Sequence, residues 1–180
     1  MTPWHAHIPT IRGKGRPRFS TRGGTPRAFT DPETRAAEKE ISTLCRQARG
    51  RDPISEGWVV LGVAILDPIP ASWRTSTGAP TLQARRAAWQ MEPAAARPDV
   101  DNIAKLCGDG AAGVWFQGDA KVLPACWRGW TADPKRAGLH LYLWPAATPA
   151  EAFAVLWGAD APWPAVLRKL AAPPEGWGRP

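Results

Sequence analysis

The apolar positions follow two periodicities, and together they predict a chain that mixes helices with strands. Ala37, Ile41, Leu44 and Ala48 recur at helical spacing. Thr30 or Asp31 can cap that helix, Pro32 suits its first turn, and Gly50 closes it. Glu33 stands three residues after Thr30, a capping-box arrangement. Residues 58–66 (WVVLGVAIL) are apolar throughout and β-branched in part, the pattern of a strand buried on both faces. Residues 67–80 read as a loop. Residues 81–92 predict a helix with Leu82, Ala88 and Trp89 inward and Arg85 and Arg86 outward. Asp101 opens the next helix, with Ile103, Leu106 and Cys107 on its inner face and Gly108, Gly110 and Gly113 loosening its second half. Residues 122–130 and 138–144 read as strands joined by a turn at Asp133-Pro134, the second strand only partly buried because His140 interrupts it. Beyond Pro145, Ala, Pro and Trp dominate, with short helices near 150–157 and 164–170 and a loose tail from Pro173. The fold class expected is α/β of the mixed α+β kind, one domain with a small mixed sheet packed by helices. The alternations are too few for a Rossmann domain or a barrel.

A length of 180 residues suffices for one domain with a real core. With 44% hydrophobic and 22% charged residues, wholesale disorder is excluded. No apolar run approaches the ~18 residues of a membrane span, and Met1 to His7 lack a signal-peptide pattern. Cys45, Cys107 and Cys126 are far apart and form no CxxC, which argues against a disulfide framework or a cysteine zinc site. A reducing, cytoplasmic setting is the expectation.

Charge sharpens the picture. The net charge is +7, carried by 17 Arg and 6 Lys against 16 acids. Residues 1–30 hold Arg12, Lys14, Arg16, Arg18, Arg22 and Arg27 and no acid at all. Arg12, Lys14, Arg16 and Arg18 occupy alternate positions, so in an extended segment they share one face at about 6.6 Å spacing. Such a ribbon suits a phosphate backbone; a charge-guarded edge strand is the plainer alternative.

Three acids carry the candidate chemistry. Asp99 and Asp101 flank Val100 just before a helix, and Asp119 follows in a Gly-Asp turn that leads into a strand. If they converge, they form an oxygen-rich pocket of the kind Mg²⁺ takes, which phosphodiester hydrolysis can use. Lys105 lies four residues after Asp101, on the same helical face. The plainer reading makes Asp101 a helix cap, Asp101 with Lys105 a surface ion pair, and Asp99 a turn residue.

The segment Arg97-Pro98-Asp99-Val100-Asp101-Asn102-Ile103-Ala104-Lys105, then Asp109, then Trp115 and Gly118-Asp119-Ala120-Lys121-Val122, resembles the signature of RusA-type Holliday-junction resolvases. Gly13-Lys14-Gly15-Arg16-Pro17-Arg18-Phe19 is similar to the basic first strand of many members. The resemblance spans roughly residues 8–144. It implies a homodimeric, Mg²⁺-dependent endonuclease (Mn²⁺ a possible substitute) that nicks four-way DNA junctions and is encoded by bacteria or their phages. Asp99, Asp101 and Asp119 match the family's metal-binding acids, Lys105 its catalytic lysine, and Asp109 a further recurrent acid. An acid pair of the family pattern is Gly118-Asp119 here. On this basis residues 1–146 form the RusA-like endonuclease domain and 147–180 an extension.

Two rivals stand beside this reading. Pro98-Asp99 with Asp119-Ala120-Lys121 also fits the short PD…(D/E)xK pattern of general Mg²⁺ nucleases, which would make Lys121 the catalytic lysine. A branched-DNA-binding protein with a degenerate, non-catalytic site is the other, kept alive by Gly118. His5 and His7 lack a third zinc ligand and are expected to be incidental. Cys45 and Cys107 read as small core residues, Trp58 and Trp144 as structural. Trp73, beside Arg74, is a candidate for stacking on an unpaired base or for a dimer interface.

Overall fold

A computed structural model describes residues 2–14, 18–20, 27–91, 94 and 98–177. Their elements run β1 (Trp4–Ile8), β2 (Arg18–Ser20), β3 (Arg27–Phe29), α1 (Pro32–Arg49), β4 (Trp58–Pro68), α2 (Leu82–Gln90), α3 (Val100–Ala111), β5 (Val122–Thr131), β6 (Gly138–Ala146), α4 (Pro149–Trp157) and α5 (Pro162–Leu170). The main sheet has the order β1-β6-β4-β5. β4 pairs parallel with β5 and antiparallel with β6, and β1 closes the other edge antiparallel to β6. β2 and β3 form a separate two-stranded ribbon. The expected α+β domain with a small mixed sheet is therefore what forms.

β4 organises two cores because its side chains alternate between the faces of the sheet. Val59, Leu61, Val63 and Ile65 face α1 and α3, meeting Ile41, Cys45, Ile103, Leu106 and Trp115. Val60, Ala64 and Leu66 face the opposite way and are covered by Trp144, Leu156, Trp163 and Leu170. Residues of 147–170 thus cover the second face of the sheet. Gly62 lets this happen, since a Cβ there would stand 2.5 Å from the Trp163 ring.

α1 starts at Pro32 with Asp31 as its cap, the Asp31 carboxylate accepting from the Glu33 and Thr34 amides. Of the two candidate caps, Asp31 is used. α3 packs on α1 through Ile103, Leu106, Cys107 and Gly110. A Cβ on Gly110 would lie 2.7 Å from Ile41 Cγ2 and 3.1 Å from the Glu38 carbonyl. The glycine that seemed to loosen this helix is where the two helices approach most closely, and α3 continues through it to Ala111.

Several expectations are corrected. In α2 the buried face is Ala84, Ala87 and Ala88, leaving Leu82 46% and Trp89 36% exposed. Ala84 and Ala88 are the side chains that α2 packs against Ile69 in a small buried cluster. Residues 11–14 form no strand. β6 is buried along almost its whole length, His140 included. The tail is anchored as far as Trp177, whose carbonyl accepts from Trp89 Nε1 at 3.2 Å. Residues 21–26, expected as a loop, lie outside the described residues. Among the described residues no helix is long and apolar enough to cross a membrane.

His5, His7 and His140 gather on the sheet face that carries Tyr142 and Trp144. His140 stacks on both other rings at centroid distances of 5.4 and 4.3 Å, and its Nε2 hydrogen-bonds to the Arg136 carbonyl at 2.9 Å. Burial pushes the His140 imidazole down to about 4.

Two outcomes follow for stability. Trp163→Ala should cost about 3–5 kcal/mol, the usual loss for emptying a buried tryptophan site, read as a lower urea midpoint. Because His140 binds its proton less readily folded than unfolded, its contribution is complete above the unfolded value near 6.5 and is lost as pH falls through about 4. The urea midpoint of the protein should therefore fall more steeply over that window than that of His140→Gln.

Candidate active site

The start of α3 is where the sequence places its chemistry, and the backbone there is set by three local features. Pro98 lies at a bend, Asp99 caps the helix with extended backbone at φ −65° and ψ 150°, and Val100 anchors the first turn against the core. Asp99 makes no side-chain capping bond. Its carboxylate is thus not consumed by the helix it precedes. Asp101, Lys105 and Asp109 follow at four-residue intervals along the outer face of α3, all exposed, while the buried inner face fixes the rotation of the helix.

That outer stripe forms one wall of a groove of about 1000 Å³, whose floor is Leu61 of β4 and Val122, Pro124 and Cys126 of the edge strand β5. The side chains of Asp99, Asp101 and Lys105 make no hydrogen bond or ion pair to another described residue. The Asp101–Lys105 surface ion pair of the plainer reading is not made. The unspent carboxylates sit at a helix N-terminus, where the exposed amides and the macrodipole favour negative charge.

Asp109 is engaged. Lys14 Nζ pairs with Asp109 Oδ2 and stands 3.7 Å from Glu38 Oε1. These contacts, led by the hydrogen bond to Asp109, raise the Lys14 pKa above its ordinary value. The Lys14 amide also donates to the Asn102 carbonyl at 3.3 Å, and Gly13 passes so close to Pro98 that a Cβ would lie 2.5 Å from the proline Cβ. Gly13 and Lys14 are thereby fastened along α3. Arg12 is exposed. Arg16 lies outside the described residues, as does the side chain of Arg18 in β2.

Asp119 stands on a different element from Asp99 and Asp101, ahead of β5. It stands in a short 3₁₀ turn, Asp119–Lys121, at the start of β5, and its side chain lies outside the described residues. Val122 is paired with Val59 near one end of β4. Near the other end, Asp67 holds Arg128, which in turn donates to the Pro98 carbonyl beside Asp99. Arg128 is paired with Ile65, and the six residues from Val122 to Arg128 span about 20 Å at ~3.3 Å per residue. The turn that carries Asp119 thus enters β5 at the end away from Arg128. Lys121 stays at the Asp119 end, its Nζ donating to the Glu56 carbonyl at 3.2 Å. A PD…(D/E)xK site would need Asp99, Asp119 and Lys121 together.

A family model described as Endodeoxyribonuclease RusA matches residues 9–139. The chain belongs to the RusA endodeoxyribonuclease family. The match covers the basic segment, α1, α3, the groove and β5, and ends at the second residue of β6, so α4 and α5 lie beyond it. No curated protein and no solved structure matches the chain. As a RusA-family member the protein is a DNA endonuclease.

A hard divalent cation suits the chemistry of the donors at the head of α3, which are carboxylate oxygens with no competing partner. Among the described residues no three ligating side chains are gathered for a metal. Trp73 packs on Trp130 at 5.1 Å between ring centroids, half-buried in a small aromatic cluster, so it is not a free stacking platform. Cys45 and Cys107 are core thiols as expected; burial raises Cys45 to about 12.

Sequence reasoning missed Arg128, Asp67 and the partners of Lys14. The available signal was a single charge inside each of two apolar strands, Asp67 after WVVLGVAIL and Arg128 within β5. Because Lys14 is already neutralised by carboxylates, Lys14→Ala should leave the slope of log DNA affinity against log salt unchanged. Arg16→Ala and Arg18→Ala should each lower its magnitude by about 0.9, the value of one phosphate contact, as read by fluorescence anisotropy.

Proposed function

We propose that the protein resolves four-way DNA junctions by paired nicks, as a homodimer that uses Mg²⁺, with Mn²⁺ as a substitute. The observation that carries this reading is the pair of unpartnered carboxylates, Asp99 and Asp101, at the head of a helix whose next outward residue is Lys105, beside the fastened Gly13 and Lys14. Asp99 and Asp101 hold the cation, with Asp119 as the third acid. When bound, the cation supplies Lewis acidity to the phosphoryl group and lowers the pKa of water. Lys105 offsets the negative charge that develops on the phosphoryl oxygens. Arg12, Arg16 and Arg18 bind the backbone without reading sequence, and the acid-free first 30 residues concentrate that charge next to α3.

What supports the homodimer is that the acids stand on two elements, the head of α3 and the turn before β5. A second copy related by a two-fold axis offers the start of its own β5 to the first copy's Asp99 and Asp101, producing two equivalent sites for two strands. A protein that binds branched DNA without cutting it is the outcome to expect if Gly118, where the family pattern has an acid, disables the site.

The decisive assay is cleavage of a labelled synthetic four-way junction beside a linear duplex of the same sequence. Paired nicks in the junction alone, lost in Asp101→Asn, are expected; cutting of both substrates would leave a nuclease without junction preference. Mixing inactive Asp101→Asn with inactive Asp119→Asn should restore single-strand nicking, because a mixed dimer with shared sites keeps one intact. If mixing restores nothing while the mixed dimer forms, each site is built within one protomer.

A further inference from the structure

Arg128 is one of the most buried charges in the protein, 4% exposed, and its side chain does three things at once. Nε and Nη2 donate to the two oxygens of Asp67 at 2.6 and 2.9 Å, a forked pair on neighbouring strands. Nη1 donates to the carbonyl of Pro98, the residue immediately before Asp99. Asp67 is itself 9% exposed. Burying a guanidinium and a carboxylate costs solvation that their attraction offsets only when geometry is good and the remaining donors are used. Here the third donor is used on the backbone that delivers the acids. The Pro98 carbonyl cannot bond within α3, because it precedes the helix, so this contact ties the head of α3 to the sheet.

We infer that Arg128, aimed by Asp67, is a positioning residue that sets where Asp99 and Asp101 stand by fixing the Pro98 carbonyl. It deepens the metal-dependent nuclease reading above and touches no substrate itself. The geometry accounts for a forked arginine in this place: lysine can neutralise Asp67 but cannot hold both carboxylate oxygens and the carbonyl in one plane. Residues that orient metal-holding groups in this way are commonly worth 10- to 100-fold in metal affinity or activity.

The test uses the full chain and three variants: Arg128→Lys, Asp67→Asn, and the apolar double replacement Arg128→Met with Asp67→Leu. The double replacement removes both charges together, a change that buried ion pairs often tolerate without loss of stability, so folding and positioning are read separately. Mn²⁺ affinity is measured by titration calorimetry, junction cleavage by kcat and KM, and α3 opening by hydrogen exchange at the Ile103 amide, which donates to the Asp99 carbonyl. A folded double variant with Mn²⁺ binding and kcat each down about 10-fold or more, KM little changed and Ile103 exchanging faster is the expected result. Arg128→Lys, whose charge still matches Asp67, should share the loss in kcat. Unchanged exchange at Ile103 in every folded variant overturns the inference, as does unchanged Mn²⁺ affinity with unchanged kcat. If the unaltered protein neither binds Mn²⁺ nor cuts DNA, the functional reading fails, and the Ile103 exchange alone then decides whether Arg128 fixes the head of α3.

Discussion

Strand β4 is apolar on both faces and therefore has to be covered twice. From Val59 to Asp67 every residue is buried, and burying each large apolar side chain contributes about 1.5–3 kcal/mol relative to exposure. That demand places β5 and β6 on its two edges, α1 and α3 over one face, and α4 and α5 over the other. The groove is a by-product of the same arrangement. α3 covers β4 but leaves the floor residues of edge strand β5 uncovered, and the gap between helix and strand is where the outer face of α3 looks out.

Stability and chemistry divide α3 lengthwise. Its inner face, Ile103, Leu106, Cys107 and Gly110, is fully committed to α1 and the sheet. Its outer face carries Asp101, Lys105 and Asp109, of which only Asp109 is neutralised within the described residues. Two unpaired carboxylates so near each other repel, and the helix N-terminus offsets only part of that. Under the proposed function, a bound cation would neutralise both.

How much of this could be read in the residues depends on what kind of interaction decided each place. β4 was legible because nine consecutive apolar residues leave no other economical conformation. α1 was legible because Asp31, Pro32 and Gly50 mark its ends chemically. The family signature at 97–122 was legible as a string of residue types, and the family match agrees with it. α2 misled because hydrophobicity favours Leu82 and Trp89, whereas the buried face is Ala84, Ala87 and Ala88. The even spacing of Arg12, Lys14, Arg16 and Arg18 suggested one equivalent row, but Lys14 is drawn off by Asp109, 95 residues away. The Arg128–Asp67 pair spans 61 residues and a parallel strand pairing. Long-range charge matching leaves no local periodicity, so no pattern along the chain announces it.

The pairing of β1 with β6 has a consequence for how the chain is made. Trp4 pairs with Leu143 on the neighbouring strand, so β1 has no strand partner until β6, more than a hundred residues later, has been made. The bare face of β4 waits longer still, until Trp163 has emerged. At ~5–20 residues per second, synthesis of the stretch between them takes many seconds, during which a long apolar strand has no cover. The nascent chain is then most exposed to aggregation and to chaperone capture, a vulnerability that belongs to the order of synthesis and is gone once α5 docks.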